Sequence, residues 1–162
     1  MKSKFTKLYL RLKLKFNNEN LLQTAFTHKS YLNESKSVIE SNERLEFLGD
    51  AVLSLIISTY IFKLKPKDNE GDLTNLRSYI VKTESLTEAS SKLDLGSYLL
   101  MSKGEELTGG RENTQLLANT YEALLGAIYI DLGEEIARQF VSQTLLPIFE
   151  KELENGPPKD SK

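Results

Sequence analysis

Cysteine is absent from the chain, and so is tryptophan. Without cysteine there can be no disulfide, no thiolate metal site and no cysteine nucleophile. A reducing compartment such as the cytoplasm suits that composition. A single histidine, His28, leaves no multi-histidine metal centre and argues against a Ser–His triad. Only four prolines interrupt the chain (Pro66, Pro147, Pro157 and Pro158), so long stretches are free to be helical. No run reaches the roughly 18 apolar residues of a membrane span. The longest nearly apolar run, Ala51 to Phe62, carries Ser54, Ser58, Thr59 and Tyr60 and reads as a core helix. The basic start of the chain lacks both a continuous apolar segment and a small-residue cleavage site, so it reads as the first structural element rather than a targeting signal.

What is present suits one ordinary domain: 162 residues, 40% hydrophobic and 27% charged. The charge is unevenly spread. Residues 1–40 hold eight Lys/Arg against three Asp/Glu, whereas residues 41–162 hold thirteen against twenty. An acidic main body binds polyanions poorly by bulk electrostatics, so contact with nucleic acid would require cations, a local basic face or a helper domain.

Helical patterns dominate. Phe5–Leu14 repeats like a helix through Phe5, Leu8 and Leu12, although its leucines also alternate like a strand. The spacing predicts a short helix over Glu19–Phe26, a polar loop over Tyr31–Glu40, and a long helix from Asn42 to about Leu64 capped by Ser41. Pro66, Asp68, Asn69 and Gly71 mark a turn before a helix over Asp72–Val81, with Leu73, Leu76 and Ile80 on one stripe. Thr83 caps the next helix, to about Leu93. Gly96–Gly110 is loop-rich. A second long apolar helix runs over Asn113–Asp131. Gly133 separates it from a last helix over Glu134–Leu153, with Ile136, Phe140, Leu145 and Ile148 inward.

The chemistry concentrates in the first long helix. Glu43, Glu46 and Asp50 stand at i, i+3 and i+7, on one helical face, while Leu45, Leu48, Val52 and Leu55 call for burial beside them. Like charges set in an apolar helix are costly, because desolvation and mutual repulsion both disfavour the ionised forms. Asn119 and Glu122, at i and i+3, interrupt the second apolar helix in the same way. Two such helices offering oxygen ligands suggest a divalent-cation site, since a hard cation such as Mg²⁺ takes oxygen donors and would neutralise the acids. The alternative at this level is a set of solvated carboxylates, with Glu43 complementing the helix dipole and Arg44 pairing with one acid.

The run Asn42-Glu43-Arg44-Leu45-Glu46-Phe47-Leu48-Gly49-Asp50-Ala51 resembles the signature of the ribonuclease III family, bacterial type. Thr27-His28-Lys29-Ser30-Tyr31, Glu70-Gly71-Asp72-Leu73, Lys103-Gly104-Glu105-Glu106, Leu117-Ala118-Asn119 and Glu122 to Tyr129 agree with it in order. The resemblance covers about residues 5–153. It implies an all-α endonuclease domain over residues 1–153, a helical bundle forming a homodimer that cleaves double-stranded RNA, including rRNA precursors. It further implies 5′-phosphate and 3′-hydroxyl ends with a short 3′ overhang, and Mg²⁺, with Mn²⁺ as a substitute, activating water and stabilising the leaving oxygen. No membrane partner and no small-molecule cofactor are expected. By resemblance the metal ligands are Glu46, Asn119, Glu122 and Asp50. Asp50 and Glu122 are the essential acids, with Asp50 orienting water. Glu43 and Glu70 line the catalytic valley, and Phe47 inserts into the partner subunit. His28 falls at a helix-to-loop junction rather than at a catalytic position. Gly109-Gly110 with Arg111 is only a weak phosphate-contact signal.

Two departures stand out. Asn119 occupies a position where the family usually has Asp, which removes one charge and lowers the expected metal affinity. Residues 154–162 read as a linker that would lead to a double-stranded-RNA-binding domain, absent from this sequence. RNA affinity is therefore expected to be weak and salt-dependent. Two other readings remain open at this stage: a catalytically impaired homologue acting as an RNA-binding or assembly module, and a helical dimerisation domain with incidental carboxylates.

Overall fold

The computed structural model describes residues 3–38 and 40–159. Met1, Lys2, Ile39 in the expected polar loop, and Asp160–Lys162 at the end of the expected linker lie outside the described residues. Those described form nine α-helices: α1 Thr6–Leu12, α2 Glu19–Ala25, α3 Glu43–Leu64, α4 Glu70–Val81, α5 Thr83–Lys92, α6 Lys103–Leu107, α7 Thr114–Leu132, α8 Glu134–Thr144 and α9 Glu150–Asn155. Among them the one extended pairing is a single bridge between Thr27 and Leu100. The all-α expectation holds.

The axis of the core is α7. Its residues from Ala123 to Ile128 are all buried, and α3, α5, α8 and α2 pack around it. A helix apolar on every side must be enclosed by others. The α3–α7 crossing is exceptionally close, for a reason written in two glycines. A Cβ built on Gly49 would stand 1.7 Å from the carbonyl oxygen of Glu122, and one on Gly126 would stand 2.4 Å from that of Leu45. Glycine inside a helix costs about 1 kcal/mol relative to alanine. Here that cost is offset by backbone-to-backbone packing that no larger residue permits.

The entry to α3 is pinned by Asn42, not capped by Ser41 as expected. Asn42 is buried, its backbone N–H donates to the Thr27 carbonyl at 2.8 Å and its Nδ2 to the Ala25 carbonyl at 3.3 Å. Ser41 acts one residue earlier: its Oγ accepts from the Glu43 N–H at 3.3 Å and donates to Glu43 Oε1 at 3.0 Å.

Several other boundaries differ from expectation for local reasons. Gly71 lies inside α4, because Asn69 rather than the turn's end supplies the cap, accepting from the Asp72 N–H at 2.8 Å. Lys82, not Thr83, stands at the N-cap of α5. The region read as loop-rich holds α6, whose cap is Ser102 Oγ accepting from the Glu105 N–H at 3.1 Å. The polar loop begins with a 3₁₀ turn over Lys29–Asn33. The final long helix is broken: α8 ends at Thr144, a 3₁₀ turn spans Leu146–Phe149, and α9 follows. Pro147 removes a backbone donor just where the helix would have continued. Glu154 and Asn155, expected to open the linker, belong instead to α9, and the Glu154 carbonyl accepts from Lys65 Nζ at 2.8 Å.

The expectation that no segment could span a membrane also needs correcting, because α3 is long and apolar enough by length and composition alone. In the fold it instead runs along α7, burying Leu45, Val52, Leu53, Ile56, Ile57 and Ile61. Leu55, expected inward, is 58% exposed, and it shares an outer stripe with Phe47 (81%) and Phe62 (69%).

Candidate active site

The close α3–α7 crossing decides the site. Gly49 touches the backbone of Glu122, so the Glu122 side chain is carried to the face of α3 that presents Glu46 and Asp50. Three carboxyls from two helices then share one place. Burial, first, and then the neighbouring Asp50 and Glu46 push the Glu122 carboxyl up to about 8. The Asp50 and Glu122 carboxyls are close enough to share a hydrogen bond when one is protonated. Burial, then Glu43 and then Asp50 raise the Glu46 carboxyl in the same direction. Among the described residues no ion pair involves Glu43, Glu46, Asp50 or Glu122. Arg44, weighed as a partner for one of them, instead pairs with Glu40 at 3.1 Å. Carboxylates pressed together without a cation are the arrangement that shifts protonation at working sites.

The remaining predicted residues divide. Asn119 lies one turn before Glu122 on α7, and its Oδ1 accepts from Gln115 Nε2 at 2.8 Å. Glu43 borders Glu46 and is oriented by Ser41. Glu70 is elsewhere. Arg77 on α4 donates to Ser58 on α3 at 2.9 Å, so α4 runs back along α3 and Glu70, in its first turn, lies beside the C-terminal end of α3. At 1.5 Å per residue that end is about 20 Å from Asp50. Within one chain, Glu70 does not join the other acids.

His28 is the N-cap of the 3₁₀ turn, its Nδ1 accepting from the Ser30 N–H at 3.2 Å. The weak phosphate reading of Arg111 is not supported: its guanidinium donates to Glu106 at 2.9 Å and to the Gly96 and Leu99 carbonyls at 3.0 and 2.7 Å. Sequence reasoning passed over Asn42, Gly49, Gly126 and Gln115. The signal for the glycines was available, since glycine in mid-helix marks a close approach.

The donors are all oxygen, as Mg²⁺ requires, and the uncompensated negative charge is what a divalent cation would neutralise. Among the described residues no group of three or more acids or histidines is tight enough to enclose a metal by itself. Mg²⁺ commonly keeps several waters and takes only one or two carboxylates, so the set fits an open, partly hydrated ion.

A family model described as Ribonuclease-III-like matches residues 18–149. The chain belongs to the ribonuclease III family. Ribonuclease 3 of Clostridium kluyveri is 48% identical over 151 residues, covering 93% of this chain and 62% of that protein. Ribonuclease 3 of Streptococcus gordonii is 50% identical over 141 residues, covering 86% and 61%. The chain thus spans about three fifths of the length of the curated ribonuclease III relatives it matches. Among solved structures, the nuclease domain of ribonuclease III from Campylobacter jejuni is 41% identical with a TM-score of 0.84, covering 90% of this chain and 99% of that one, and is described for flexibility in a region involved in dimer formation. Dicer from Pichia stipitis, at 23% identity and a TM-score of 0.65 over 90% of this chain and 62% of that one, shares the fold.

Proposed function

We propose that this chain is a divalent-cation-dependent endoribonuclease domain that cleaves double-stranded RNA as a homodimer in the cytoplasm. The products would be 5′-phosphate and 3′-hydroxyl ends with short 3′ overhangs, and rRNA precursors would be among the substrates. The observation that carries this reading is the group of Glu46, Asp50 and Glu122, brought together by two tightly crossed helices and free of ion pairs among the described residues, an arrangement that pushes the Glu122 carboxyl up to about 8.

Glu46, Glu122, Asp50 and the Asn119 oxygen would hold Mg²⁺, which supplies positive charge for the attacking water and the leaving 3′ oxygen. The chain's own residues do the rest. Asp50 accepts a hydrogen bond from the water and aims it. Glu122 carries a proton that it can give up when the site gains positive charge. Glu43, held by Ser41, extends the negative rim that keeps the phosphate off the acids unless cations intervene.

The dimer reading rests on the outer stripe of α3. Phe47, Leu55 and Phe62 form a line of large apolar side chains of the kind that marks a contact surface. A two-fold axis through the middle of that stripe reverses one α3 against the other. The Glu70 end of each copy is then carried toward the Phe47 and acid end of its partner, so Glu70 would complete the site across the subunit boundary.

This arrangement is testable by mixing two defective copies. Glu70→Gln and Glu122→Gln homodimers each carry two damaged sites. A mixed dimer carries one intact site if Glu70 acts across the boundary and none if it acts within its own chain. Nicking of one strand by the mixture, about tenfold above either homodimer, is expected. Activity no higher than the average of the two would rule the arrangement out.

The reading as a whole is tested by cleavage of a labelled RNA duplex at low salt with Mg²⁺ and then Mn²⁺. Duplex-specific cutting is the expected outcome. The second reading, an impaired homologue serving as a binding module, is favoured by one observation, the neutral Asn119 among the ligands. Silence in both the natural chain and Asn119→Asp, with duplex RNA still bound, would favour it. Silence cured by Asn119→Asp would mean an enzyme weakened at that single position.

A further inference from the structure

The basic first part of the chain has no role in the acid site. Its helix α1 carries some of that charge to a cleft of about 470 Å³ where α1, α5 and α8 all end. The side chains around the cleft include Arg11, Lys13 and Lys92 and no carboxylate. Leu93, Pro147 and Ile148 give it an apolar wall, and Gln143 adds an amide. Tyr121, one residue before Glu122, shares a hydrogen bond of 2.8 Å with Thr144 at the edge of the cleft, whereas Glu122 faces α3. Successive helical residues point about 100° apart, so the cleft and the acids lie on different sides of α7.

Cations at helix C-termini commonly do no more than complement the dipole and its orphan carbonyls. Here the backbone already closes the three ends. The N–H groups of Leu14, Leu93 and Leu145 donate to the carbonyls of Tyr9, Ala89 and Val141 at 3.2, 3.2 and 2.9 Å. Arg11 spends one guanidinium nitrogen on the Leu93 carbonyl and keeps its other donors. Lys92 has Glu88 at 3.6 Å, an exposed pair of little strength. Lys13 joins no ion pair among the described residues. Lys13 is also placed at a cost. Its φ is 57°, in the left-handed region where the end of a helix favours glycine. Asp94, the other such non-glycine residue among those described, is steadied by its own carboxylate, which accepts from Ser97 Oγ at 2.7 Å. A lysine has no acceptor with which to do the same. Strain kept at a charged residue in a cleft motivates a functional reading of its side chain.

We propose that this cleft binds the 5′-phosphate of a nucleotide. Arg11, already anchored at Leu93, offers a planar fork to two phosphate oxygens, and Lys13 and Lys92 act as point charges. The nucleoside lies against Leu93, Pro147 and Ile148, within reach of the Gln143 amide. The volume falls in the range of about 300–1,000 Å³ that small-ligand sites occupy. Two sources share this chemistry: a free nucleotide, and the phosphorylated 5′ end of a short RNA. The cleft stands apart from the acids, so the proposal does not rest on the cation reading of that site.

The experiment is titration calorimetry at low salt with a chelator present, which keeps divalent cations and therefore phosphate away from the acids. The probes are 5′-AMP, 5′-GMP, adenosine, inorganic phosphate, and a trinucleotide with and without its 5′-phosphate. The chains are the natural one, Lys13→Gly and Lys92→Gln. A nucleotide is expected to bind the natural chain about tenfold tighter than adenosine or inorganic phosphate, and each variant about tenfold more weakly, the effect of one charged hydrogen bond. Lys13→Gly is also expected to raise the urea midpoint, because glycine relieves the left-handed backbone. Loss of binding in a more stable chain cannot come from unfolding. A phosphorylated trinucleotide that outbinds both nucleotides and its unphosphorylated form assigns the cleft to an RNA end; otherwise the ligand is the free nucleotide. The proposal is overturned if neither nucleotide binds, if inorganic phosphate binds as tightly, or if both variants bind as well as the natural chain.

Discussion

Glu122→Gln is expected to lower duplex cleavage by about 10³-fold or more, the range for loss of a positioned acid or of preorganised charge. The same substitution is expected to make the cation-free fold more stable at pH 8. The two effects have one origin. Glu122 is held among Asp50 and Glu46 in a partly buried place, and its folded-state proton affinity is raised from the ordinary 4.5 to about 8. Between those two values the folded chain keeps a proton that the unfolded chain has released. Stability contributed by that proton is therefore complete below about pH 4.5 and declines as pH rises, until it is lost once pH passes about 8. Glutamine has no proton to lose and removes this slope. Glu46, shifted in the same direction, leaves a smaller slope of the same sign. Thermal melts from pH 4.5 to 9 in the presence of a chelator check the point. Equal pH slopes for the natural chain and Glu122→Gln would refute it.

The second large effect concerns the crossing. Gly49→Ala is expected to destabilise the fold by about 3 kcal/mol, at the upper end for overpacking, a large part of a total that is typically about 5–15 kcal/mol. Helix propensity alone would favour alanine by about 1 kcal/mol. Sterics win because the new methyl would stand 1.7 Å from the Glu122 carbonyl oxygen, and backbone cannot move aside without parting α3 from α7. Gly126→Ala, against the Leu45 carbonyl at 2.4 Å, should act in the same direction. Gly71→Ala is the control. Its methyl would meet only Asn69 Oδ1, at 3.4 Å, so the propensity gain should survive there. Urea denaturation midpoints of the three variants decide the matter. A Gly49→Ala chain as stable as the natural one would show that the helices separate freely.

Much of this was legible in the sequence because period and charge speak directly. Apolar residues at helical spacing gave α2, α3 and α7 nearly to the residue, and acids at i, i+3 and i+7 amid leucines announced a face with a use. What the sequence hid was distance. Glu70 belongs to the same motif set as Glu43, yet the turn at Pro66 sends α4 back along α3 and leaves Glu70 at its far end. Leu55 looked like core, but an apolar residue on a helix does not say which neighbour covers it; it is exposed on the same outer stripe as Phe47. Caps were misread where tertiary contacts override local preference. Ser41 and Asn42 are equally good cap side chains, but Asn42 is pinned to the carbonyls of Ala25 and Thr27, and that settles where α3 begins. The break before α9 was written in Pro147 and was outweighed by the apolar period running past it.

The tightest glycine contact between helices and the cluster of Glu46, Asp50 and Glu122 occupy the same few residues. Helices pressed backbone to backbone cannot drift apart to relieve repulsion between their acids, so only a proton or a cation can do so. The fold is thereby a meter of its own occupancy. Its melting temperature above pH 8 should climb with the logarithm of divalent-cation concentration once that exceeds Kd, reporting binding with no RNA and no label. The glycine pair that lets the chain pack thus also ties its stability to the charge on its acids.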